Sequence, residues 1–184
     1  MKRFLALLLL LAAAGYVFVL PRVRERLNYP VRYESRIREN ALAYSLDPAL
    51  VAAIVQVESG GNPRAVSGVG AMGLMQIMPD TGKWIFQKLG AGGGFTPEML
   101  FDPETALRCG CWYLNFLLLE FDGDAQCAVA AYHAGQGAVR KWLANSAYSP
   151  DGRTLLAFPD DAPQTRNYVS KVKKAYEYYR KAYI

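Results

Sequence analysis

The chain has 184 residues, 52% of them apolar and 20% charged, so it can fill one core of ordinary size and is not a disordered polymer. Lys and Arg outnumber Asp and Glu by 21 to 16, a formal net charge of +5. That balance suits an anionic partner such as nucleic acid, a membrane surface or a cell-wall polymer, and equally fits a mild solubility charge. The three cysteines, Cys109, Cys111 and Cys127, lack zinc-finger spacing, and with a single histidine present they argue against a metal centre. Buried free thiols are the favoured reading, and a pairing of Cys127 with Cys109 or Cys111 stays open.

Lys2 and Arg3 precede an apolar run from Phe4 to Leu20, the pattern of an export signal. The run is near the short limit for a spanning helix and continues past Ala12-Ala13-Ala14-Gly15, which favours an uncleaved signal anchor over a cleaved signal peptide. Arg22, Arg24 and Arg26 follow it, so charge bias leaves the orientation unsettled. The expected organisation is a signal segment over 1–20, a charged linker over 21–32 and a folded domain over 33–184, acting on the extracytoplasmic face of a membrane. An amphipathic helix is expected from Tyr33 to Ser45.

The next stretch is the most informative. Asp47 is a good N-cap, Pro48 suits the first helical position, and Gly60-Gly61 ends the helix. Nearly every residue between is apolar, so the helix is buried on most sides. Leu50, Ile54 and Glu58 fall on one stripe, which places a carboxyl among core residues and near the negative end of the helix dipole. Both effects raise its pKa, as a general acid requires. On this stretch alone, a polar helix end reaching solvent is an equal alternative.

A loop from Gly60 to Gly73 holds enough glycine to approach a ligand closely, with room for a small hairpin. Leu74 to Pro79 leads into a helix reaching about Leu89 and ended by Gly90. Thr96-Pro97-Glu98 and Asp102-Pro103-Glu104 both read as helix starts, the second opening a long helix to Phe121. Asp124 caps a helix running to Ala134-Gly135, and a short one follows over about Gly137 to Ala144. A loop to Ala162 precedes a last helix starting near Pro163. No convincing period-2 run appears, so the fold is mainly α.

Four stretches combine: Glu58-Ser59, Gly73-Leu74-Met75-Gln76, Ala131-Tyr132-His133-Ala134-Gly135 and Gln164-Thr165-Arg166-Asn167-Tyr168-Val169. In order and spacing they resemble the catalytic domain of the soluble-type lytic transglycosylases, over roughly residues 40 to 184. The resemblance implies a lysozyme-like fold of goose type with a catalytic groove, and cleavage of peptidoglycan without metal or cofactor. It implies Glu58 as the acid/base, with Ser59 completing that motif as one of the substrate-binding residues. Ser67 is implied near the substrate's N-acetyl group, Gln76 and Met78 in the glycan groove, and Tyr132 near the glutamate. Arg166, Asn167 and Tyr168 would close the site. The family usually has asparagine at His133 and glutamate at Gln164. Neutral histidine, like asparagine, offers a donor and an acceptor, so a contact or structural role is favoured for it over that of a base.

Most glycosidases use two carboxylates. Here Asp47, Asp102 and Asp124 read as caps and Glu98 and Glu104 as first-turn residues; Asp80 is the best candidate for a second carboxylate, with a helix cap the alternative for it too. One carboxyl suffices if the muramyl 6-hydroxyl is the nucleophile, as the resemblance implies. The alternatives are a lysozyme-type hydrolase and a non-catalytic glycan-binding module. The expected partners are glycan strands and, through the N-terminal segment, the membrane. The chain is expected to act as a monomer. Nucleic acid is disfavoured, since no helix combines clustered Arg and Lys with a recognisable turn motif.

Overall fold

The computed structural model describes residues 32–90 and 94–182, together with Tyr16, Leu20, Val23 and residues 27–30. The apolar run Phe4 to Leu20 therefore lies almost wholly outside the described residues. Among those that are described, no helix is long and apolar enough to cross a membrane. The chain divides into two compact units, Met1–Arg32 and Tyr33–Ile184. In the first, Tyr16, Leu20, Val23 and Leu27 are exposed.

Among its described residues the second unit holds seven α-helices: α1 (Glu34–Ala43), α2 (Pro48–Ser59), α3 (Pro79–Lys88), α4 (Pro103–Glu120), α5 (Ala125–Ala134), α6 (Gln136–Leu143) and α7 (Pro163–Ala182). A 3₁₀ helix, Pro97–Phe101, lies between α3 and α4. No strand forms among the described residues. The expected hairpin reduces to two antiparallel bridges, Val66 with Met72 and Met72 with Ile77.

Local chemistry sets most helix limits. Asp47 accepts a hydrogen bond from Ala49 N at 2.8 Å, Asp102 from Thr105 N at 2.8 Å, and Asp124 from Cys127 N at 2.7 Å, each satisfying an amide that has no partner within its helix. Gly60 closes α2 in the left-handed conformation, with φ 61°. The segment from Thr96, expected as an ordinary helix start, stops after one 3₁₀ stretch. Pro103 holds Asp102 extended (φ −74°, ψ 123°), since its ring disfavours the helical conformation for the residue before it. Pro79 does the same to Met78 (φ −67°, ψ 140°), so Leu74 to Met78 stays non-helical and α3 begins at the proline.

The centre of the unit is α2. Ala49 and residues 51–55 are buried, and its most extensive neighbour is α7. Tyr176 of α7 donates to Asp47 Oδ2 at 2.7 Å, tying the start of α2 to the last helix. The α5 helix packs between α4, α6 and α7, while α1 crosses α2 and α4. Ile37, Ile54, Leu74, Met75, Ile85, Leu107, Leu114 and Leu117 are almost fully buried. Each such side chain contributes about 1.5–3 kcal/mol to folding. The buried Asn40 donates to Glu104 at 2.9 Å and so joins α1 to α4. The three cysteines are buried and free. Burial pushes the Cys109 thiol up to about 11 and that of Cys127 up to about 12.

Candidate active site

Glu58 is in the last turn of α2, where the helix leaves the core. Its half-buried carboxyl accepts a hydrogen bond of 2.6 Å from the Tyr168 hydroxyl on α7. Burial pushes its pKa from an ordinary 4.5 to about 7, and the tyrosine's hydrogen bond, which favours the charged form, limits the rise. Among the described residues no second carboxylate contributes to that shift. Asp80, the sequence candidate for one, is exposed in the first turn of α3. The Tyr168 and Tyr132 hydroxyls are pushed well above the usual tyrosine range, first by burial and then by the Glu58 charge, so both stay protonated donors.

The loop after α2 is held by its own polar groups. Ser59 Oγ donates to Leu74 O at 2.8 Å and accepts from Gly61 N at 3.2 Å. Gly73 N donates to Ala65 O at 2.9 Å, and Met72 and Ile77 exchange two backbone hydrogen bonds. Gln76, at a left-handed φ of 48°, donates from its amide to Ala65 O at 3.2 Å and Gly73 O at 3.0 Å. Ser67 Oγ accepts from Ala71 N at 2.9 Å. Gly73 has φ 76°, and a Cβ there would overlap the Leu100 carbonyl, so the close approach of the loop to the 3₁₀ helix requires glycine.

These bonds sort the residues expected in the site. Ser59, expected to contact substrate, spends its hydroxyl proton inside the protein and joins the end of α2 to the loop. The amide nitrogen of Gln76 is likewise committed to the loop, leaving its carbonyl oxygen. Met78 is 41% exposed beside the start of α3. Tyr132 donates to Met75 O at 2.9 Å, which fixes the loop against α5. Tyr168 is the residue that reaches Glu58. Arg166 and Asn167 are exposed on α7, as is Gln164.

His133 is placed one residue after Tyr132. Its ring lies 4.7 Å from the Tyr168 ring at a tilt of 31°, and its Nδ1 shares a 3.0 Å hydrogen bond with Thr165 Oγ1. Burial lowers its pKa below the ordinary 6.5, so the neutral ring predominates at neutral pH. Thr165 was not singled out by the sequence, although it precedes Tyr168 by three residues and so shares its helix face. Among the described residues no cluster of His, Cys, Asp and Glu could hold a metal ion.

A compact helical scaffold with a half-buried carboxyl of raised pKa at a helix end, bonded to a tyrosine and flanked by an ordered Gly-rich loop, defines a domain of the lysozyme-like class. Within that class the chain belongs to the family described as "Transglycosylase SLT domain", whose profile matches residues 35–153. Among curated relatives, the soluble lytic murein transglycosylase of Escherichia coli K12 is 36% identical over 155 residues, covering 83% of this chain and 24% of that protein. The membrane-bound lytic murein transglycosylase C of Mannheimia succiniciproducens is 32% identical over 169 residues, covering 82% of this chain and 47% of that protein. Relatives thus include proteins named as soluble and as membrane-bound. The crystal structure of the 70 kDa soluble lytic transglycosylase of Escherichia coli superposes with a TM-score of 0.74 at 32% identity, over 85% of this chain and 25% of that one. The lytic transglycosylase Slt of Pseudomonas aeruginosa, solved as an inactive glutamate-to-glutamine mutant, gives 0.69 at 33% identity, over 82% and 24%. The chain therefore spans about a quarter of the length of these soluble relatives from Escherichia coli.

Proposed function

We propose that this domain is a peptidoglycan lytic transglycosylase that cleaves the β-1,4 bond between N-acetylmuramic acid and N-acetylglucosamine and leaves a 1,6-anhydromuramyl end. The observation that carries the proposal is Glu58: one half-buried carboxyl with a pKa of about 7 and, among the described residues, no carboxylate partner perturbing it. The family and its lytic transglycosylase relatives support the same reading, as does the inactive glutamate mutant of one of them.

Near pH 7 such a carboxyl is populated in both forms, so it can give and take a proton in one cycle. Protonated Glu58 donates to the glycosidic oxygen as the bond from the muramyl C1 breaks and the N-acetylglucosamine hydroxyl departs. The substrate's acetamido oxygen stabilises the cationic C1. The Glu58 carboxylate, held by the Tyr168 hydroxyl, then takes the proton of the muramyl 6-hydroxyl as that oxygen bonds to C1. The ring closes and Glu58 is returned as the acid. The nucleophile belongs to the same sugar and so acts at high effective concentration, with no second carboxylate to activate a water.

In this reading Ser67, the Gln76 carbonyl and the exposed Met78 face the glycan, while Ser59 and Tyr132 hold the loop that carries them. The residues before 33 tether the domain to a membrane, the catalytic face lies outside the cytoplasm, and the chain works as a monomer on glycan strands. Recovery of the full chain in the membrane fraction supports the tether; an exported form beginning near Gly15 or later replaces it with a cleaved signal.

The chemistry is tested by digesting purified peptidoglycan in water enriched in oxygen-18 and weighing the muramyl ends. Anhydro ends carry no solvent oxygen and are one water lighter than reducing ends. Labelled reducing ends as the main product assign a lysozyme-type hydrolase instead, and no turnover leaves only a glycan-binding module.

A further inference from the structure

We infer that His133 is a positioning residue for Tyr168, and through it sets the protonation of Glu58. The inference rests on the catalytic role proposed for Glu58.

The three groups form one connected array. Thr165 is 5% exposed, so its hydroxyl needs a partner inside the protein, and His133 Nδ1 lies 3.0 Å from it. Tyr168 is one helical turn further along α7, so Thr165 and the tyrosine present to the same side. There the His133 ring meets the Tyr168 ring at 4.7 Å, and the Tyr168 hydroxyl reaches Glu58 at 2.6 Å. One imidazole on α5 thus holds two residues of α7, and the second of them bonds the carboxyl at the end of α2. The groups facing His133 from α7 are the uncharged Thr165 and Tyr168. Those facing Glu58 are the phenols of Tyr168 and Tyr132.

The Tyr168 hydrogen bond opposes the effect of burial on Glu58. A tyrosine ring free to shift off its 2.6 Å contact loses part of that opposition, so loosening it raises the midpoint of Glu58. Asparagine carries its amide at the same distance from the backbone as histidine carries Nδ1. It can therefore keep the bond to Thr165 that alanine cannot.

The test is a carbon-13 NMR titration of the full chain labelled at glutamate, with the Glu58 signal identified by its loss in Glu58→Gln. It needs no substrate, so its outcome is independent of whether the domain cleaves peptidoglycan. His133→Ala is expected to move the Glu58 midpoint above the wild-type value of about 7. His133→Asn should bring it back towards that value. Thr165→Val, which removes the hydroxyl with little change of shape, should move it in the same direction as His133→Ala and serves if the alanine variant fails to fold. In a Tyr168→Phe background His133→Ala should add nothing further, because the effect passes through the tyrosine hydroxyl. An unmoved midpoint in folded His133→Ala and Thr165→Val, or an undiminished shift in the Tyr168→Phe background, overturns the inference.

Discussion

Replacing Glu58 by glutamine should stabilise the domain at alkaline pH and leave its stability near pH 4.5 almost unchanged. In the folded state Glu58 binds its proton with a pKa of about 7, against an ordinary 4.5. Between those values the native state holds more proton than the unfolded chain, so stability falls as pH rises. The contribution of the raised pKa is fully present below about 4.5 and is lost once pH passes 7. At 1.36 kcal/mol per pH unit the interval corresponds to about 3 kcal/mol, and solvent reaching the half-buried side chain trims this to about 2–3 kcal/mol. Glutamine keeps an oxygen to accept the Tyr168 hydrogen bond and has no charge to desolvate. For a domain of this size the gain corresponds to a rise in Tm of roughly 5–10 °C at pH 8. The assay is thermal unfolding of the wild-type and Glu58→Gln chains, followed by near-ultraviolet circular dichroism from pH 4.5 to 8.5. A Tm difference that stays constant across that range, or that favours the wild type at pH 8, refutes the burial argument.

The same Glu58→Gln substitution should lower the rate of peptidoglycan turnover by about 10²–10⁴-fold, the usual scale for losing a general acid/base, measured as release of soluble fragments. Wild-type activity should decline as pH rises through about 7, where the proton donor is lost, and a pH–rate profile checks the position of that limb. Gly73→Ala should destabilise the domain by about 2–4 kcal/mol in denaturant unfolding, combining left-handed backbone strain with the overlap on the Leu100 carbonyl. Cys109, Cys111 and Cys127 should react with a thiol reagent at neutral pH only after denaturant is added, since all three are buried and their raised pKa values suppress the thiolate.

The sequence by itself determined where α2, α4 and α5 begin, because Asp47, Asp102 and Asp124 satisfy backbone amides two or three residues away. The burial of α2 was legible in its nearly unbroken apolar run, whereas that stretch left a solvent-reaching Glu58 as an equal alternative, and burial of the carboxyl in the folded domain is what raises its pKa. The pattern of four motifs carried the family. The short 3₁₀ helix before Pro103 was less legible, because a cap followed by proline, as at Thr96-Pro97, opens long helices equally well, and it is Pro103 that limits this one by holding Asp102 extended. Only the tertiary structure decided which groups face one another. Tyr168 and Glu58 are separated by 110 residues, and their contact depends on how α2 packs against α7. The Thr165 partner of His133 depends in the same way on α5 meeting α7. Ser59 and Gln76 read from sequence as substrate contacts, yet their donors turn inward, because the loop's own carbonyls need partners once the loop folds. Helical periodicity assigns a residue to a face, but the hydrogen bond it makes there is set by the packing of helices distant in sequence.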